Sequence, residues 1–179
     1  MTTQTKTWTV DTAHSIAEFS AKHMLVSTVK GRFRDWQATI VFDEANPAGA
    51  SADAIFQVAS IDTGEEYRDN HLRSDDFFNA EQFPTMTFHS TRVEPVNANR
   101  FQVFGDLTIR DNTRPIALDV EYEGQIRDAF GKQRAAFTAI AKVNRKEFGL
   151  RWNGLIETGG AIVGDTITIT LHLAATLND

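Results

Sequence analysis

The side chains best suited to chemistry gather in one stretch, residues 61–90, IDTGEEYRDNHLRSDDFFNAEQFPTMTFHS. Its central ionisable residues are Arg68, Asp69, His71, Arg73, Asp75 and Asp76. A histidine with a carboxylate beside it can form an acid–base pair. Arginine side chains instead favour an anionic group such as a phosphate. The stretch therefore points to two chemistries, acid–base catalysis centred on His71 or recognition of an anion.

The same stretch is the one segment of the chain whose pattern predicts a helix. Thr63 and Glu66 form a T-x-x-E capping box, which satisfies free amides at a helix start. Asp69 and Arg73 are four residues apart with the acid first, the favourable order for an ion pair. Pro84 ends the segment, and a strand follows over residues 85–91. We interpret the stretch as a helical lid that leads directly into a strand.

Apolar and polar residues alternate through most of the remaining chain, which predicts antiparallel strands. The clearest run covers residues 101–109. Residues 116–122 alternate in the same way and form the next predicted strand, after a hairpin turn at residues 110–115. The alternation changes parity near Asp35, as a β-bulge would cause. Each strand has one apolar face and one polar face rich in threonine, so the apolar faces must meet each other.

Two all-β architectures satisfy this requirement, a two-sheet sandwich and a closed barrel. A barrel of eight strands either fills with its own side chains or holds one small ligand. Small residues stand among the large ones on the inward faces: Ala38, Gly105, Ala139 and Ala141. They favour a cavity, although small residues also relieve crowding in a packed barrel.

Composition excludes several classes of protein. The 179 residues suit one domain, taken here as 1–179, and the net charge of −6 argues against a nucleic-acid binder. The chain has no cysteine, which excludes disulfides and thiol chemistry, and its five histidines show no metal-ligand spacing. Residues 1–20 lack the apolar run of a secretory signal. We therefore expect a cytoplasmic protein, or a periplasmic one if a signal has been removed.

Several motifs, in order, resemble the YceI family: WTVDTAHS, KHMLVSTVKGRF, the stretch described above, GDLTIRDNTRPIALDV and NRKEFGLRWN. The resemblance covers residues 8–173. It implies a lipocalin-like, eight-stranded antiparallel barrel with a short helical insertion. It also implies a long amphiphilic lipid inside the barrel, such as a polyisoprenoid or its phosphate, an isoprenoid quinone or a fatty acid derivative. A homodimer is a further implication, and no cofactor or metal is expected.

A lipid tail in such a barrel needs an apolar tube, since roughly 0.8 kcal/mol is gained for each CH2 group removed from water. The residues predicted to line it have large apolar side chains on the inward faces. They are Phe33, Trp36, Ile40, Phe42, Phe56, Met86, Phe88, Phe101, Val103, Leu107, Leu118, Val120, Phe137, Ile167, Ile169 and Leu171. The alternative is that many of these residues form an ordinary core.

The head group of the lipid needs polar or cationic partners at the mouth of the barrel. The candidates are His23, Tyr67, Arg68, His71, Arg73 and Arg145. The alternative for Arg73 is an ion pair with Asp69 or Asp75 that stabilises the lid, with His71 packed beneath it.

We therefore predict a carrier that sequesters or transports an amphiphilic lipid without altering it. Two other functions remain open on these residues. One is a ligand-free interaction barrel or stress-related protein, and the other is a small-molecule hydrolase that uses the His71 region. The hydrolase is disfavoured because the sequence has no G-x-S-x-G elbow and no H-E-x-x-H helix.

Overall fold

The computed structural model describes residues 5–154 and 162–179, and it contains eleven strands and one α-helix in these ranges. The strands are β1 (Thr7–Val10), β2 (Ile16–His23), β3 (Ser27–Phe33), β4 (Trp36–Val41), β5 (Ser51–Gln57), β6 (Ile61–Asp62), β7 (Thr85–Pro95), β8 (Arg100–Ile109), β9 (Asn112–Arg127), β10 (Gln133–Asn144) and β11 (Val163–Leu177). The helix, α1, is Glu66–Arg73, and it lies between β6 and β7. None of the helices among these residues is long and apolar enough to cross a membrane.

The eleven segments form a closed barrel of eight antiparallel strands. Three barrel strands are each broken into two segments: β1 with β2, β3 with β4, and β5 with β6. The barrel closes because β11 pairs with β2 along residues 163–172 and with β1 at residues 175–177. The closed barrel confirms the predicted fold class and excludes the sandwich.

The predicted bulge near Asp35 is wrong, and the parity change has another cause. β3 ends at Phe33 and β4 begins at Trp36, and the two segments pair with different neighbours. The chain therefore bends at residues 34–35 between two segments of one long barrel strand. A bend and a bulge both shift the alternation by one residue, so the sequence pattern does not distinguish them.

A true bulge lies in β7, where the pairing with β8 shifts between Ser90 and Arg92. Ser90 is buried, and its hydroxyl accepts a hydrogen bond of 2.8 Å from the amide of Ala52. Opposite it, Gly105 lets the ring of Phe88 lie against the barrel wall, because a Cβ atom there would come within 2.5 Å of the ring. This glycine is needed for a close approach between neighbouring strands.

The turn between β8 and β9 is shorter than predicted. It contains only Arg110 and Asp111, and residues 112–115 already belong to β9. Arg110 has a φ of 57°, the left-handed conformation that such a tight turn uses. The predicted strand after Pro84 begins where β7 begins, at Thr85, and β7 extends four residues beyond the predicted end.

The helix forms where it was predicted, but its N-cap is a different residue. The Glu65 side chain accepts hydrogen bonds from the amides of Tyr67 and Arg68, so the predicted Thr63–Glu66 capping box is wrong. At the other end, the Ser74 hydroxyl donates to the carbonyl of His71 over 2.6 Å. Thr63 has another role, described below.

Candidate functional site

The barrel encloses a large chamber of about 370 Å³, which is within the size range of ligand pockets in proteins. Its wall is almost entirely aliphatic and aromatic. Phenylalanine rings from neighbouring barrel strands and from the segment after α1 pack edge-on. Phe33 lies 5.7 Å from Phe56 and 6.0 Å from Phe78, measured between ring centroids. A cavity with this lining solvates hydrocarbon and offers water few partners.

A small chamber of about 110 Å³ continues the interior toward the other end of the barrel. The two chambers share wall residues Ala54, Phe56, Phe88, Leu118 and Leu171. Alanines leave much of the room in the small chamber: Ala38, Ala50, Ala52, Ala54 and Ala139. The interior is thus one apolar tube with a constriction at the shared residues.

A cluster of aromatic rings lies at the far end of the small chamber. The ring of Phe42 is 4.8 Å from that of Tyr122, 5.3 Å from that of Phe137 and 6.1 Å from that of Phe101, between centroids. The Tyr122 hydroxyl donates a hydrogen bond to the Glu44 carboxylate. Burial, and then this bond, raise the pKa of Tyr122. The tyrosine stays neutral and forms a fixed floor for the tube.

The polar residues of the large chamber lie at the opposite end, which we call the mouth. They come from β2, from the lid (residues 63–83) and from the segment after β10: Glu18, Lys22, His23, Thr63, Tyr67, Arg68, His71 and Arg145. Three of them carry a full positive charge and one carries a negative charge, in a chain with a net charge of −6. The mouth is therefore a local positive region on an acidic protein.

A buried carboxylate positions the start of α1. Asp69 is 7% exposed, and its Oδ1 accepts hydrogen bonds from the amide of Thr63 over 2.8 Å and from the Thr63 hydroxyl over 2.6 Å. Arg68 donates to the hydroxyl and carbonyl of the same threonine over 2.7 and 2.9 Å. These bonds are made by the guanidinium group itself, so they fix Arg68 beside Thr63 at the wall of the large chamber.

Arg73 does not line either chamber. Its guanidinium donates to the carbonyls of Ala59 and Ile61, over 2.9 and 3.0 Å, and to the side chain of Asn70 over 3.0 Å. The predicted ion pair with Asp69 is wrong, because Asp69 bonds Thr63 instead. Arg73 joins the end of the helix to Ala59 and to the first residue of β6, and the structure does not bring it to the mouth.

His71 lies in the wall of the large chamber with its ring packed between two aromatic side chains. Its centroid is 4.6 Å from Trp152 and 5.1 Å from Phe77, both edge-to-face. Its Nε2 lies 2.8 Å from the Asp76 carboxylate. A histidine–carboxylate pair therefore exists, and its aromatic contacts make it part of the packing between the lid and residue 152.

Arg145 is 3% exposed, and four backbone carbonyls accept its hydrogen bonds: those of Leu150, Trp152, Val163 and Gly164, at 2.6 to 3.3 Å. Burial lowers the pKa of Arg145, while the nearby Asp165 opposes that shift. A guanidinium remains charged in proteins nonetheless. Its donors are committed to the segment after β10, so it holds that segment against β11.

All sixteen predicted tail-lining residues lie on the wall of one of the two chambers. The large chamber has Phe33, Phe56, Met86, Phe88, Leu107, Leu118, Ile167, Ile169 and Leu171, and the small one adds Trp36, Ile40, Phe42, Phe101, Val103, Val120 and Phe137. Among the predicted head-group residues, His23, Tyr67, Arg68, His71 and Arg145 line the large chamber. Their contact with a ligand remains a prediction.

Several wall residues that lie outside the regular strands were not predicted. Leu72, Phe77 and Phe78 come from the lid, and Phe148, Leu150 and Trp152 follow β10. No strand or helix period marks these positions. The pair of phenylalanines after two aspartates in an otherwise polar segment is the one signal that identifies part of this set.

A closed eight-stranded antiparallel barrel with an apolar interior and a short helical lid is a lipocalin-like architecture. The chain belongs to the YceI-like family, because the model of the YceI-like domain matches residues 8–175. The resemblance seen in the sequence is thereby confirmed over nearly the same range.

Individual relatives agree with this assignment. A UPF0312 protein from Staphylococcus epidermidis is 37% identical over 158 residues, which cover 88% of this chain and 90% of the relative. The crystal structure of BcnA from Burkholderia cenocepacia has a TM-score of 0.83 at 28% identity, and it covers 93% of this chain and 99% of BcnA. A polyisoprenoid binding domain from Saccharophagus degradans has a TM-score of 0.64 at 14% identity, over 96% and 98% of the two chains, and shares the fold alone.

Proposed function

We propose that this protein binds a long amphiphilic lipid inside the barrel and carries or sequesters it unaltered. The observation that carries the proposal is the apolar tube, which runs from a polar, positively charged mouth to a closed aromatic floor. The ligand class that fits is a single flexible hydrocarbon with one polar end: a polyisoprenoid or its phosphate, an isoprenoid quinone or a fatty acid derivative.

The tail is expected to enter the large chamber and to reach past the constriction. Each CH2 group that leaves water contributes roughly 0.8 kcal/mol, and ordering of the tail offsets part of that gain. The floor formed by Phe42, Phe101, Tyr122 and Phe137 then limits the length of tail that fits. The head group is expected near His23, Tyr67, Arg68 and His71, where the lining is polar.

The polyisoprenoid binding domain supports this reading only through its fold, so the lining residues of this chain carry the argument. A ligand-free barrel that acts through its outer surface is disfavoured, because a close-packed core has few voids larger than a water molecule. The large chamber exceeds that size many times over.

The hydrolase reading rests on the contact between His71 and Asp76. It is disfavoured because the two ring contacts and the carboxylate bond commit the histidine to packing in the lid. A general base must reach the proton that it removes. The hydroxyl of the nearby Ser74 instead donates to the backbone carbonyl of His71.

The proposal is tested by placing a charge at the constriction. Phe88→Arg puts a guanidinium between the chambers and is expected to abolish uptake of farnesol or geranylgeraniol, measured as a mass shift by native mass spectrometry. Thr87→Arg is the matched control, because it puts the same side chain on the opposite face of β7 and should leave uptake unchanged. Circular dichroism checks the fold of both variants. Uptake by a folded Phe88→Arg variant at the level of the unaltered protein would contradict the proposal.

A further inference from the structure

The turn between β2 and β3 presents three apolar side chains to solvent. Met24 is 42% exposed, Leu25 is 72% exposed and Val26 is 86% exposed. We call these three residues the hairpin tip. Single exposed apolar residues are normal on a protein surface, whereas consecutive ones often mark a contact site.

The backbone of the hairpin tip makes this composition more unusual. Met24 and Leu25 have φ angles of 52° and 63°, and the amide of Val26 donates to the carbonyl of His23 over 3.3 Å. Two consecutive left-handed residues bridged by this bond are features of a type I′ turn, whose central positions favour Asn and Gly. The turn lies in a three-residue connection, because the last strand pair is His23 with Ser27. Bulky apolar residues are strained in the left-handed region. The hairpin tip thus carries apolar side chains where the turn itself disfavours them.

The hairpin tip is continuous with the mouth of the large chamber. The residues directly before it, Lys22 and His23, line that chamber, and so does Val29 on the returning strand. Tyr67 of α1, which is 81% exposed, lines the same chamber. Any surface that covers the hairpin tip therefore also lies beside the opening through which a ligand enters.

The charge around the hairpin tip is positive. Residues 20–34 contain Lys22, Lys30, Arg32 and Arg34 and no acidic residue, in a chain with a net charge of −6. Lys30 and Arg34 contact the carboxylates of Glu18 and Asp62, and Lys22 bonds the hydroxyl of Thr28 over 3.0 Å. An apolar tip with cationic side chains behind it complements a surface of acyl chains below anionic head groups.

We propose that the hairpin tip inserts into the surface of an anionic lipid bilayer and docks the mouth of the barrel there for exchange of its ligand. This inference rests on the proposed lipid-binding function, because it names the place from which the same cavity is filled. The apolar side chains enter the boundary between head groups and acyl chains, and Lys22 faces the anionic head groups. The left-handed turn holds the apolar side chains outward.

Substitutions that relieve the backbone strain of the hairpin tip give a variant that separates docking from folding. Met24→Asn combined with Leu25→Gly installs the preferred type I′ pair, so the variant is expected to unfold at a temperature equal to or above that of the unaltered protein. Co-sedimentation is measured with vesicles of phosphatidylcholine mixed with phosphatidylglycerol. The partition coefficient is expected to fall about ten-fold or more, because the variant lacks the leucine side chain that enters the bilayer. Vesicles of phosphatidylcholine alone are expected to bind the unaltered protein less tightly.

Phe130→Ser is the matched control. Phe130 is 89% exposed in the turn between β9 and β10, at the end of the barrel opposite the mouth. Its removal should leave co-sedimentation unchanged. Equal losses for both variants would overturn the proposal, because binding would then depend on exposed apolar area at any position.

Uptake of farnesol from vesicle-free solution distinguishes this proposal from the proposed function. The hairpin variant should take up farnesol as the unaltered protein does, while its binding to vesicles is lost. If neither protein takes up farnesol, the proposed function fails and the vesicle result still decides the docking. Absence of vesicle binding by the unaltered protein overturns the proposal. So does a hairpin variant that binds vesicles normally, or one that changes only the self-association seen by sedimentation velocity.

Discussion

The interior of the barrel depends on pairs of one large and one minimal side chain. The ring of Phe88 lies against the barrel wall only because Gly105 on the neighbouring strand has no side chain to meet it. In the small chamber, Phe137 on β10 is close to Ala139 on the same face. In each pair the small residue makes room for the ring, and the chamber beside the ring stays open.

Gly105→Ala tests this pairing. The added Cβ atom would lie 2.5 Å from the Phe88 ring and 2.6 Å from the carbonyl oxygen of His89, so a strand has to move. The free energy of unfolding, measured with urea, is expected to fall by about 1–3 kcal/mol. Gly164→Ala is the control, since its nearest neighbour is at 3.4 Å, and it should change stability far less. Similar losses for both variants would show that close packing at Phe88 is not the cause.

An ion pair on the outer surface, between His89 and Asp53, has a pH dependence that can be followed directly. Asp53 raises the pKa of His89 above 6.5, first through their hydrogen bond and then through its charge. The pair stabilises the folded state fully below 6.5, and this contribution is lost as the pH rises through the higher folded-state pKa. A titration of His89 followed by NMR should have its midpoint above 6.5, and Asp53→Asn should lower it. A midpoint that does not move in the variant would contradict the assignment.

At this scale, the sequence predicts which side chains face inward far better than it predicts where cations go. The period of two residues placed all sixteen tail candidates on the wall. The guanidinium of Arg73, which lines neither chamber, and that of Arg145, which lines the large one, both donate to backbone carbonyls. Such acceptors exist in every segment, so no residue pattern identifies them.

The lid is the element that positions the polar end of the site. Three contacts hold it: Asp69 bonds Thr63, Arg73 bonds the chain before β6, and Arg110 bonds the carbonyls of Asp75 and Phe77 over 3.2 Å. Because these contacts lie at both ends of α1 and in the turn after it, the helix keeps a constant position over the mouth. The lid residues Tyr67, Arg68 and His71 are thereby held at the wall of the large chamber.

Two arginines of the lid allow the head-group site to be tested. Arg68→Gln removes a charge from the chamber wall and is expected to weaken binding of geranylgeranyl phosphate about ten-fold or more, with little effect on geranylgeraniol. Arg73→Ala loosens the lid and should weaken both ligands equally. Isothermal titration calorimetry with the two ligands measures this difference. A selective loss of the phosphate in Arg73→Ala and none in Arg68→Gln would contradict the placement of the head group.

The sequence predicted the existence of this element but not its details. Pro84 marked the end of the lid, because β7 begins at Thr85, but α1 itself ends earlier, at Arg73, and its cap moved from Thr63 to Glu65. Thr63 was displaced because Asp69 offers its amide and hydroxyl a buried acceptor. The capping box is a pattern over four residues, and here the bond between Thr63 and Asp69, six residues apart, replaced the predicted bond of Thr63 to the helix start.

At the scale of the whole molecule, eleven segments form a closed barrel of eight strands, because the first three barrel strands are each broken into two segments. Closure leaves one tube with its polar residues at one end and an aromatic floor at the other. The sequence left the sandwich open because alternation alone does not encode closure, which depends on the pairing of β11 with β1 and β2. The expected homodimer stays a prediction.

The length of the tube is expected to set the length of the tail. Ala139→Leu fills part of the small chamber and should reduce uptake of geranylgeraniol while leaving that of the shorter geraniol unchanged. Ala117→Leu places the same change on an exposed position of β9 and is the control. Native mass spectrometry with the alcohols in competition measures the preference. An unchanged preference in Ala139→Leu would show that the tail does not reach the small chamber.

The most direct test of the central claim is the identity of what the protein holds when it is isolated gently. The protein is purified without detergent, measured intact by native mass spectrometry and then extracted with organic solvent. The account predicts a bound mass in near-stoichiometric amount, with a fragmentation pattern of isoprenoid or acyl units. A barrel that is empty on isolation, and that stays empty after incubation with prenyl phosphates, prenyl alcohols, quinones and fatty acid derivatives, would contradict it.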